Sequence, residues 1–155
     1  MHYYGFKMQL MITQKGVPIS IGITSANVHD VNYLAELDNK KQLSDFELIA
    51  DKGHLSVHYQ TTLFEEDKIR LITPLRSNMF SRKNEWNSFY RYIRKRIETL
   101  FSQLCDQMMF KRNYSKSLDG LLSRVVAKVN AVAVLQFLNF KNNRPINLLK
   151  TALFV

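Results

Sequence analysis

FELIADKGH, residues 46–54, runs a short apolar segment directly into an acid, a lysine and a glycine. Five residues rich in β-formers and bounded by turn chemistry predict a strand over FELIA, with Asp51 as the first residue past its end. In open α/β sheets, ligands collect beyond the carboxyl ends of strands, because the loops converge there on a rigid frame. Asp51 is therefore placed where a functional carboxylate belongs. An aspartate before a glycine turn is also an ordinary turn former, and position alone leaves both readings open.

Outward from this stretch, the pattern is that of an α/β domain. FKMQLMIT (6–13) and VPISIGIT (17–24) are two β-rich runs joined by QKG, which predicts a hairpin. In SANVHDVNYLAELDNKK, Asn27 is placed to cap a helix with Asp30 at its third position, and Val31, Leu34 and Leu37 follow at helical spacing. A second helix is expected over SVHYQTTLFEED (56–67) and a strand over IRLITPLR (69–76). After the polar connector RSNMFSRKN, an apolar stripe from Trp86 through Phe89, Ile93, Ile97, Leu100 and Leu104 to Met108 predicts a long helix. A last helix runs from about Leu118 to Phe140, stopped by NNRPIN. The expected order is β-β-α-β-α-β-α-α around one mixed sheet, in a single domain spanning 1–155.

Composition narrows the function classes. The single Cys105 rules out an intramolecular disulfide and fits a reducing, cytoplasmic setting. MHYYGFKMQL lacks the apolar core of a signal peptide. Arg124, Lys128 and Asn130 interrupt VVAKVNAVAVLQFLNF, leaving about ten apolar-rich residues where about 20 are needed to span a bilayer, so a buried helix and no membrane partner are expected. The chain carries a formal charge of +9, and its excess is uneven: residues 81–128 hold 11 Lys and Arg against 4 Asp and Glu, the remainder 11 against 9. Such a concentration fits a surface that faces a polyanion, and fits equally a basic solvated helix face.

Within that basic region, RKRIETLFSQL (94–104) sets Glu98 after a run of cations at the edge of the apolar stripe. An Arg94–Glu98 pair on the helix would be worth only about 0.2–0.5 kcal/mol, in the less favourable order. The sharper reading pairs Glu98 with Asp51, 47 positions earlier. Hard cations such as Mg²⁺ take one or two protein carboxylates together with waters and substrate phosphates. Two-metal phosphoryl chemistry needs acids from distant segments converging on ions about 3.5–4 Å apart. Flanking Arg and Lys would then hold a nucleic-acid backbone. Other chemistry lacks support: the four histidines show no zinc spacing with Cys105, and neither GxxxxGK[ST] nor GxGxxG occurs.

YYGFKMQLMITQKGVPISIGITSANVHDVNYL, LIADKGHLS and RKRIETLFSQLCDQ together resemble the catalytic domain of bacterial insertion-sequence transposases of the DDE type. FKRNYSKSLDGLLSRVVAKVNAVAVLQFLNF and NRPINLLK are similar to the tail of one such group, so the likeness runs from about Tyr3 to Lys150. It implies an RNase H-like mixed sheet flanked by helices. It also implies Mg²⁺ (or Mn²⁺) dependent strand cleavage and strand transfer at transposon ends and into target DNA. By motif position Asp51 matches the family's second acid and Glu98 its third, both as catalytic metal ligands, with Lys52, Arg94 and Lys95 placed to neutralise phosphate. Asp30 matches a helix-start pair with His29 and is expected to be structural. The first acid lies, in the family, on a strand before the YYGFK block, which implies a domain lacking its first strand and DNA-recognition region. Such a truncated chain is expected to be inactive alone. In the related Tyr, Arg, Glu, Lys helix signature, Arg94 is in place, while Arg91 stands at the tyrosine position and Cys105 at the lysine position. The alternative is a non-catalytic DNA-binding or interaction remnant. A homodimer and a bacterial, nucleoid-associated location go with the transposase reading.

Overall fold

Thr13 and Gly16 turn the first hairpin. The amide of Gly16 donates to Thr13 O and the amide of Val17 to Thr13 Oγ1, with Gly16 at φ 90°, a value only glycine adopts without strain. The strands so joined are β1 (Phe6–Ile12) and β2 (Pro18–Ser25). The computed structural model of the chain describes residues 5–35, 43–75 and 88–153. The parts of the connector and of the first helix that fall at 76–87 and 36–42, Trp86 and Leu37 among them, lie outside the described residues.

Two compact units make up the chain. One comprises Met1–Gln9 with Thr24–Arg94 and the other Leu10–Ile23 with Lys95–Val155, so the hairpin contributes to both. In the first unit, β3 (Glu47–Ile49) and β4 (Arg70–Ile72) pair in parallel, Leu48 opposite Leu71. A parallel pair needs a crossover, and α1 (Val57–Asp67) supplies it. Ser56 caps this helix, its Oγ accepting the amide of Tyr59 at 3.4 Å, and Lys68 ends it in the left-handed region at φ 57°. The core is Leu34, Leu63, Ile69 and Leu71, with Phe46, Leu48 and Tyr59 packed against it.

Helical bonds in the VHDVNYL segment begin at His29, whose carbonyl accepts the amide of Asn32, and residues 32–35 are helical. Asn27 therefore lies in the preceding turn and is not the expected cap. The chain is mixed α/β as expected, but the described residues do not form the expected single mixed sheet. Among the described residues there are two separate two-stranded sheets, β1–β2 and β3–β4. β3 and β4 are three residues each, too short to offer an edge for further pairing along most of the hairpin.

In the second unit, α2 (Ser88–Asp106) continues from Lys95 onward and buries Leu100 and Leu104. Its expected stripe weakens toward the start, where Phe89 is exposed. After Met109, which turns at φ 49°, Ser117 caps α3 (Leu118–Lys141), accepting the amide of Gly120 at 3.2 Å. One stripe of α3, Val125, Val129, Val132, Gln136 and Asn139, is buried. The two amides are held by bonds across the unit. Gln136 Nε2 donates to Gly16 O at 2.9 Å and Asn147 Oδ1 at 3.1 Å, and Asn139 Nδ2 donates to Leu148 O at 2.9 Å. Thr151 Oγ1 donates to Asn139 Oδ1 at 3.1 Å, and Asn147 Nδ2 to Lys15 O at 2.9 Å. These bonds fasten the NRPIN segment and the hairpin turn to α3.

The helix is not buried all round, as its apolar run suggested. Val126, Val134, Phe137, Leu138 and Phe140 are exposed. The bounds of α3 match the expected Leu118–Phe140 to within one residue, but the expectation that its apolar run is too short to span a bilayer does not hold. By length and composition alone, α3 is long and apolar enough to cross a membrane, and only 22% of its apolar window is buried.

Candidate functional site

The β3–β4 ladder ends on the amide of Ala50, which donates to Ile72 O at 3.0 Å. Asp51 is the next residue, the first one free of the ladder. It caps a 3-10 turn over Lys52–His54, in which its carbonyl accepts the amide of His54 at 2.9 Å. Its Oδ1 accepts the amide of Lys52 at 2.7 Å and lies 3.5 Å from Arg94 Nη1. The carboxylate is 59% exposed and the guanidinium side chain 41%, so this is a solvated ion pair worth about 0–1 kcal/mol. Oδ2 accepts no hydrogen bond from the described residues. An exposed carboxylate oxygen is what a hard divalent cation takes from a protein.

Two further features of this corner have no counterpart in the motif reading. Asp30 pairs with Lys7, Oδ1 to Nζ at 2.9 Å, while Lys7 also donates to Val28 O at 2.6 Å. The same carboxylate lies flat on the DKGH turn, where a Cβ added at Gly53 would come within 2.9 Å of Asp30 Oδ2. Gly53 is thus required by the close approach of an acid 23 positions earlier, and the structural role expected of Asp30 takes the form of an ion pair and a contact, not a helix cap. The second feature is His54. Burial lowers its pKa from the ordinary 6.5, partly offset by the charges of Asp30 and Asp51 and by its bond to the Asp51 backbone. Its buried Nδ1 has no hydrogen-bond partner among the described residues. The one local signal for both was the glycine and histidine of the motif itself.

The other sequence-predicted residues lie on α2. Arg94 belongs to the same compact unit as Asp51, whereas Lys95 and Glu98 belong to the second unit. Lys95 and Glu98 are exposed, with Glu98 one helical turn after Arg94. Lys52 is exposed on the 3-10 turn. Among the described residues, no group of three or more His, Cys, Asp or Glu is arranged to hold a metal ion. The available donors are oxygen carboxylates used singly or in pairs, a set that suits Mg²⁺ or Mn²⁺ carrying waters and phosphate better than a dedicated protein cage.

No curated protein and no solved structure matches the chain. A family model described as a transposase DDE domain matches residues 1–117, an interval that takes in the hairpin, Asp30, the Asp51 turn and α2 with Glu98. By that match the chain belongs to the transposase DDE domain family.

Proposed function

We propose that this chain carries the catalytic domain of an insertion-sequence transposase, acting on transposon ends and target DNA in the bacterial cytoplasm, at the nucleoid. In this reading the DDE domain adopts an RNase H-like arrangement in which Asp51 and Glu98 share a divalent ion, Mg²⁺ or Mn²⁺. When bound, such an ion activates an attacking oxygen and stabilises charge at phosphorus. The protein's own residues do the rest: Asp51 and Glu98 would hold the ion through their carboxylates, and Arg94, Lys95 and Lys52 hold the flanking phosphate backbone as charge-assisted donors.

The observation that carries this reading is the position of Asp51, at a strand end and 3.5 Å from Arg94, the residue one helical turn before Glu98. Arg94 occupies Oδ1 at the strength of a solvated pair, which a divalent ion or a phosphate readily displaces. The concentration of positive charge over residues 81–128 also fits a second reading, a module that binds DNA without cutting it.

Fluorescence anisotropy with duplex DNA separates the two. The catalytic reading predicts that Mg²⁺ strengthens binding by the wild-type chain and has no such effect in Asp51→Asn or Glu98→Gln. Binding of equal strength with and without Mg²⁺, in all three proteins, would favour the non-catalytic module.

A further inference from the structure

The 3-10 turn that follows Asp51 has no buried residue of its own. Asp51, Lys52 and Gly53 are all exposed, so the hydrophobic core does not fix the direction of the Asp51 carboxylate. What lies against the turn is Asp30. All three heavy atoms nearest to a Cβ at Gly53 belong to this one side chain: Oδ2 at 2.9 Å, Cβ at 3.5 Å and Cγ at 3.6 Å. Asp30 is itself fixed from two sides. Its carbonyl accepts the amide of Tyr33 at 3.1 Å, where the helical residues begin, and its Oδ1 accepts Lys7 Nζ at 2.9 Å. Lys7 stands on β1 and also donates to Val28 O at 2.6 Å. Lys7, Asp30 and the Asp51 turn all lie in one compact unit.

We infer that Asp30 is a positioning residue for the ion site: anchored by Lys7, its side chain seats the Gly53 backbone and so aims the Asp51 carboxylate. The inference rests on the proposed reading of Asp51 as an ion ligand. A carboxylate on a three-residue turn moves with that turn, and contacts that orient a ligand in this way change metal affinity about 10–100-fold. Shape is the means more than charge. The Lys7–Asp30 pair is more than a third exposed on both sides, so its charges are screened by solvent. Gly53, having no side chain, lets Oδ2 rest on the backbone, and Lys7 offsets the repulsion between Asp30 and the nearby Asp51. Both carboxylates act on the same imidazole, that of His54.

The test is NMR of the full chain with Mn²⁺, whose unpaired electrons broaden the amide resonances closest to it. In the wild type Mn²⁺ is expected to broaden Lys52 and Gly53, and Asp51→Asn to abolish the effect. Asp30→Ala is expected to raise the Mn²⁺ midpoint about tenfold. In the metal-free chain it should also speed hydrogen exchange of the His54 amide, which donates to Asp51 O. Lys7→Met is expected to act in the same direction and to add nothing to Asp30→Ala. Asp30→Asn keeps the shape and an acceptor for Lys7, and is expected to stay within about twofold of the wild type. Should Asp30→Ala fail to fold, Gly53→Ala disturbs the same contact from the other side and is expected to raise the midpoint likewise. A merely structural Asp30 would lower stability on substitution and leave the midpoint of the folded protein where it was. That result overturns the inference alone, as do an unchanged His54 exchange rate and an Asp30→Asn as damaging as Asp30→Ala. A wild type whose Lys52 and Gly53 resonances ignore Mn²⁺ overturns the ion reading of Asp51 and this inference with it.

Discussion

In the unit that carries Asp51, charged groups are held by half-exposed ion pairs; in the unit that carries α3, polar groups are held by buried amides. Lys7–Asp30, Arg70–Glu47 and Arg94–Asp51 all keep more than a third of each side chain in solvent. Each is worth about 0–1 kcal/mol and can be exchanged for a new partner at little cost. Gln136 and Asn139 are 2% and 0% exposed, and their bonds reach Gly16 and Leu148. Breaking one leaves a buried group unsatisfied, at about 1–3 kcal/mol for each. The difference separates a frame that must not rearrange from a corner whose charges can exchange partners at little cost.

The largest expected effect lies in the frame. Asn139→Leu removes the acceptor of Thr151 Oγ1 and the donor to Leu148 O, and urea denaturation should show a loss of about 2–4 kcal/mol. A loss below about 0.5 kcal/mol would mean the amides do not distinguish this region. Next is Gly53→Ala, whose Cβ meets Asp30 Oδ2 and should cost about 1–3 kcal/mol. The cost should shrink when Asp30→Ala is added, and a cycle with no coupling would place the two residues apart.

His54 gives a smaller, pH-dependent effect. Its pKa is lower in the folded chain than the ordinary 6.5, so the folded state resists protonation. The stability tied to its neutral form is complete above 6.5 and is lost as pH falls through the lowered folded value. Denaturation midpoints measured across that range should therefore fall on acidification, and His54→Asn should remove this component of the slope. An unchanged slope would show that His54 is not the group responsible. The smallest stability effect belongs to the corner itself. Arg94→Gln should shift stability by less than about 1 kcal/mol, yet reduce the salt slope of DNA binding by about one unit, as should Lys52→Gln and Lys95→Gln. A large stability loss with an unchanged salt slope would make Arg94 part of the frame.

Local patterns carried much of this into the sequence. The β1–β2 hairpin, the strand end at Asp51, the start of α1 at Ser56 and the stop of α3 before Pro145 each have a signature within a few residues. The family motifs likewise lie in continuous blocks. What was not legible depends on distance in the chain. Asp30 against Gly53, and Gln136 donating to Gly16 from 120 positions away, leave no periodic trace. The sidedness of α3 was hidden for another reason: apolar residues surround the helix, and periodicity cannot then say which face is inside. The helix start near His29 was misplaced because Asn27 offers a plausible cap that the preceding turn takes instead.

The central proposal is that Asp51 and Glu98 hold one divalent ion, and iron-directed cleavage tests it most directly. Fe²⁺ substituted for Mg²⁺, with ascorbate and peroxide, generates hydroxyl radicals that cut the chain close to where the ion sits. The account predicts cuts in both segments, around residues 51 and 98, competed away by excess Mg²⁺ and lost from both segments together in either Asp51→Asn or Glu98→Gln. Cuts confined to one segment, or cuts in one segment that survive loss of the other acid, would contradict it.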